Sequence, residues 1–108
     1  YLMSSAPTLF PGVTSAVMER LRSTADAEIR AVCLALMGAH GDGTAALEIV
    51  RLLPSFDAEL RVHGASAASF IVRRLEADPA ELRRAIVDLA GHGDPWIALR
   101  GCELLYLL

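Results

Sequence analysis

Hydrophobic positions along this chain recur every three or four residues, and no stretch shows the strict alternation of a half-buried strand. Val17, Met18 and Leu21 share one side of a helix predicted over residues 14–23. Asp26 then has the residue type and the place of an N-cap. The helix behind it carries Ile29, Val32, Cys33, Leu36 and Met37 at i, i+3, i+4, i+7 and i+8, a spacing that predicts one buried stripe. Residues 38–43 break the pattern. Ala46, Leu47, Val50 and Leu53 resume it over 44–53, and Pro54 closes that helix. A long helix is predicted over 57–76, and small residues between Gly64 and Ser69 allow a second helix to come close to its middle. Another spans 79–90, with Pro79 in the favoured first turn and Leu82, Ile86 and Leu89 inward. The last runs from Pro95 to the end. The expectation is an all-α protein of about six helices.

Some of these helices begin alike. Asp-Ala-Glu-Ile-Arg-Ala at 26–31 returns as Asp-Ala-Glu-Leu-Arg-Val at 57–62, with the two aspartates 31 residues apart. Asp-Pro-Trp-Ile-Ala-Leu-Arg at 94–100 is a looser third version, its aspartate 37 residues after the second. Each opens a longer helix, and the first two are followed by a gap and a shorter one. Periods of this size mark stacked helix pairs. The predicted architecture is therefore a right-handed α-solenoid, tetratricopeptide-like, with a HEAT-like array as the alternative. Residues 1–108 would form one helical-repeat domain, with 1–25 a partly irregular N-terminal extension plus a helix. The final Leu104-Leu105-Tyr106-Leu107-Leu108 is apolar where a solenoid usually presents a polar cap, which suggests a covered groove or edge.

Composition adds a partner to this picture. Hydrophobic residues make up 54% of the chain, more than one small core hides. The longest uncharged apolar run, residues 31–39, is about half of what a membrane span needs. No basic start or cleavage pattern marks a secretory signal, so a cytoplasmic protein without membrane insertion is expected. The net charge of −3 disfavours nucleic acid, although all ten basic residues are arginine. Cys33 and Cys102 fall within apolar helical patterns and are expected to be buried free thiols.

Candidate chemistry is sparse. His40-Gly41-Asp42 and His92-Gly93-Asp94 together offer four metal-ligating groups, yet neither pair has the one-face spacing of a helical zinc motif. The first copy lies in a G-x-G-x-x-A run, which needs a preceding strand to cradle a pyrophosphate, and here a helix precedes it. Punctuation explains every letter: histidine in a last helical turn, glycine in the left-handed position after it, aspartate capping the next helix. No nucleophile elbow or Cys–His pairing is legible. Arg73-Arg74 and Arg83-Arg84 are either solvent faces or readers of an acidic partner. No enzyme, cofactor or metal is expected.

Residues 31–108 resemble the small tetratricopeptide-like chaperones of bacterial type III secretion that hold the needle subunit before export. The resemblance rests on Ala35-Leu36-Met37-Gly38, Ala45-Ala46-Leu47, the small run Ala65–Ala68, Pro95-Trp96-Ile97-Ala98-Leu99 and Cys102-Glu103. It implies a cytoplasmic chaperone that works with a second small helical chaperone and cradles an amphipathic helix of the needle subunit. A cradle agrees with the apolar excess and the lack of a catalytic set. The positions expected to line it are Leu34, Met37, Ala67, Phe70, Ile71, Trp96 and Leu99, each of which suits a core between helices equally well. The rival functions are a HEAT-like scaffold or piece of a larger solenoid, and a small ligand-binding or enzymatic helical domain.

Overall fold

Each of the longer helices after the first starts at an aspartate that accepts hydrogen bonds from first-turn backbone N–H groups. This computed structural model describes residues 11–108, with side chains from residue 14. Residues 1–10, much of the expected N-terminal extension, lie outside the described residues. Helix α1 spans Pro11–Ser23 and so begins three residues before the predicted start, with proline in the first turn, where its missing N–H costs nothing. Asp26 caps α2 (Ala27–His40) by accepting from the N–H groups of Glu28 and Ile29 at 2.9 and 3.1 Å. Asp42 caps α3 (Gly43–Leu52) through the N–H of Ala45 at 3.1 Å. A single 3-10 turn, Leu53–Ser55, places Pro54 at the join. Asp57 caps α4 (Ala58–Arg74), accepting from Leu60 at 2.9 Å. Helix α5 (Ala80–Ala90) follows Pro79, and Asp94 caps α6 (Pro95–Leu107) through Trp96 and Ile97. All six helices were expected, and no strand occurs among the described residues.

Sequence neighbours pair as α1 with α2, α3 with α4 and α5 with α6. Long helix α4 also packs against both α2 and α6, and short helix α3 packs against α5. The long helices therefore form a row, with α3 and α5 beside it. Leu21, Leu34, Met37, Ile49, Ile71 and Ile86 are fully buried at the centre. The radius of gyration is 13.2 Å, close to the ~13 Å of a compact domain of this length.

Small residues set the closest approaches. Gly101 of α6 lies on the end of α5, where a Cβ would stand 2.4 Å from the backbone nitrogen of Ala90. At the end of α2, Gly41 has φ −71° rather than the expected left-handed conformation, and no described glycine has a positive φ. Crowding is what requires glycine there. A Cβ on Gly41 would stand 2.6 Å from the carbonyl oxygen of Met37 and 3.1 Å from Cδ1 of Ile71.

The structure corrects three further expectations. The inward side of α2 holds Cys33, Leu34, Met37 and Gly38, whereas Ile29, Val32 and Leu36 of the predicted buried stripe are exposed. Cys102 is an exposed thiol; Cys33 is buried as expected, and burial raises its pKa. His40 does end α2, but His92 lies beyond α5, whose last carbonyls are met by the N–H groups of Gly91 and His92.

Candidate functional site

The long-helix row turns a broad face to solvent, and most of the exposed large apolar side chains lie on its three helices. Val32 is 59% exposed on α2, Phe70 54% on α4 and Leu99 51% on α6. Val62 and Tyr106 extend the set at i−8 from Phe70 and i+7 from Leu99. Such spacing is what puts side chains on one side of a helix. The opposite side of each helix is the core: Leu34 and Met37 on α2, Leu60 and Ile71 on α4, Ile97 and Leu104 on α6. These helices are apolar on two sides.

Two grooves flank α4 and share Ser66 as a common wall. The groove between α2 and α4 encloses about 460 Å³, with Ala35, Gly38, Ala39 and Ala67 as small walls and Phe70 at the rim. The groove between α4 and α6 encloses about 690 Å³ and is lined by Val62, Ala65, Ser69, Trp96 and Tyr106 among others. Arg100 lies over the Trp96 ring at 5.0 Å and pairs with Glu103 at 3.3 Å, which fixes the indole on that wall. Small residues along the α4 side leave room for another helix to sink in.

The expected site residues divide between core and groove. Met37 and Ile71 are fully buried and line neither groove, so their place is the core. Leu34 and Ala67 are also buried and form part of the floor between α2 and α4. Phe70 stands at that groove's rim, Trp96 lines the other groove, and Leu99 is exposed on α6. Sequence reasoning missed Val32, Val62 and Tyr106. The available signal was a second set of apolar residues on helices whose first set already filled the core.

Electrostatics hold the row together at both ends. Arg61 of α4 pairs with Asp94 at 3.2 Å and donates to the carbonyl of Pro54 at 3.0 Å. The N–H of Ile97, helped by those of Trp96 and by Arg61, holds the Asp94 carboxyl below the usual carboxylate range. At the far end Arg74 donates to the carbonyls of Gly38 at 2.5 Å and Gly41 at 2.7 Å, closing the C-terminus of α2. Arg74 is thus a structural clamp, while its neighbour Arg73 is exposed and makes no ion pair among the described residues.

No family model, curated protein or solved structure matches the chain. The residues must therefore speak for the face. Asp42 and Asp94, the aspartates of the two His-Gly-Asp stretches, are engaged as helix caps, and the G-x-G-x-x-A run follows helix α2. Among the described residues no three His, Cys, Asp or Glu side chains converge as metal ligands. No described helix is long and apolar enough to cross a membrane.

Proposed function

We propose that this chain is a non-catalytic protein-binding module that sequesters an amphipathic helix of a partner on the face of α2, α4 and α6. One observation carries the reading: the exposed Val62, Phe70 and Tyr106 line two grooves that flank α4 and have small residues in their walls, and Val32 and Leu99 are exposed on the helices either side. An amphipathic helix presents its ridge at i, i+3, i+4 and i+7, and a groove between parallel helices receives such a ridge. In this reading the helix pairs stack as a right-handed, tetratricopeptide-like solenoid, with the long helices forming its binding side. The resemblance in residues 31–108 supplies the specific form, a cytoplasmic bacterial type III secretion chaperone. Its cargo would be the needle subunit, held back from polymerising, and a second small helical chaperone would complete the complex.

Co-expression with a needle-type subunit, followed by native mass measurement, tests the proposal. The expected product is a stoichiometric complex that Phe70→Asp disrupts while leaving the helical circular dichroism spectrum intact. A monomer that captures no subunit and binds no hydrophobic dye would overturn it.

A further inference from the structure

The long-helix row has a polarity. Arg61 near the start of α4 pairs with Asp94 at the start of α6, and Arg74 at the end of α4 grips the carbonyls at the end of α2. All three helices therefore run the same way. Their capping aspartates gather at one end of the row, together with the first-turn acids Glu28 and Glu59. The basic last turn of α4, Arg73 and Arg74, lies at the other.

The outer face of α4 repeats this polarity in a single line. Glu59, Val62, Ser66, Phe70 and Arg73 follow one another at spacings of three or four residues, and all five are exposed. Neither Glu59 nor Arg73 has an ion-pair partner among the described residues. Between them the line is apolar or small. Arg73 lies 14 positions after Glu59, about 21 Å or roughly four helical turns.

We infer that the partner helix lies antiparallel to α4, with acidic residues of its first turn at Arg73 and basic residues of its last turn at Glu59. Helices commonly carry acids in the first turn and bases in the last, because these offset their own macrodipole. A helix so charged complements this face in only one direction. Lying antiparallel, it also sets its dipole against those of the row. The partner is thus a helix of about four turns with an apolar ridge, an acidic start and a basic end. This inference rests on the protein-binding reading above and adds orientation and charge to it.

Two synthetic peptides of identical composition, acetylated and amidated, supply the test. Both carry leucine at i, i+4, i+7 and i+11. One has glutamates in its first turn and lysines in its last, and the other has the charges exchanged. Fluorescence anisotropy gives the affinity of each for the wild-type protein and for the Glu59→Arg/Arg73→Glu double variant. The peptides differ in their own helicity, so the quantity read is the change in their affinity ratio between the two proteins. The antiparallel arrangement predicts that the ratio shifts roughly tenfold towards the base-first peptide in the double variant. An unchanged ratio, or a shift towards the acid-first peptide, overturns the orientation while leaving helix binding in place. No saturable binding of either peptide to the wild type overturns the protein-binding reading itself.

Discussion

On α5, Leu82, Ile86 and Leu89 face inward, while Glu81, Arg83, Arg84 and Asp88 fill most of the outside around Val87. On α2, Cys33, Leu34 and Met37 face inward, yet the outside again carries large apolar residues, Ile29, Val32 and Leu36. The two helices have similar lengths, 11 and 14 residues, and both belong to the same core. Helix α5 is built for one apolar neighbour and one of water. Helix α2 is apolar on both its inner and its solvent-facing side. The difference locates the surplus of hydrophobic residues on the long-helix row rather than spreading it over the molecule.

Substitutions on the two sides of α2, with α5 as the reference, put this to the strongest test. Leu34→Ala and Ile86→Ala each remove a fully buried side chain and should lower stability by about 2–5 kcal/mol in urea unfolding. Val32→Ser should change stability by no more than about 0.5 kcal/mol, because its side chain already meets solvent. A loss of several kcal/mol at Val32 would mean that the outer side of α2 is covered within the monomer, and the contrast with α5 would collapse.

A smaller effect separates the ends of the same two helices. The last carbonyls of α5 are met by the backbone N–H groups of Gly91 and His92. Those of α2 depend in part on the guanidinium of Arg74, 36 residues from Gly38. Arg74→Met should cost about 1–2 kcal/mol, less than a core truncation. Amide hydrogen exchange should quicken over the last turn of α2 and stay unchanged at the end of α5.

The mildest effect lies at the joint where α5 hands over to α6. Asp94 has its pKa lowered in the folded protein, so its contribution to stability is present above the unfolded carboxylate value of about 3.9. That contribution fades as pH falls through the lower folded value. The stability difference between the wild type and Asp94→Ala should therefore be constant near neutrality and shrink only below about pH 4. A difference that shrank between pH 8 and pH 6 would place the effect on another group.

Local chemistry made much of this legible in advance. Asp26, Asp57 and Asp94 each have the residue type, the place and the following helical pattern of a cap, and all three act as caps. The inward residues of α5 were equally plain, because charge marks its other side. The facing of α2 was not. Its apolar residues cover more than half of the helix circumference, and periodicity alone does not say which arc meets the core. Gly38, set against Ala67 of α4, decides it by close approach, a pairing across 29 positions that no local pattern shows. Arg74 was hidden for the same reason, since an arginine pair reads as surface until the distant carbonyls it grips are known. In the candidate site the sequence left each of the seven positions open between groove and core; Phe70 and Leu99 are exposed and Trp96 is half-buried, while Met37 and Ile71 went to the core because they share the filled side of their helices.

The two cysteines give the face a practical property. Cys33 is buried and its thiol pKa is raised, which suppresses the reactive thiolate; Cys102 is exposed and lines the groove between α4 and α6. A maleimide dye added to the native protein would therefore attach at one position, without engineering. Its emission would then report directly on any helix that enters that groove, so the proposed binding could be read from the unmodified sequence.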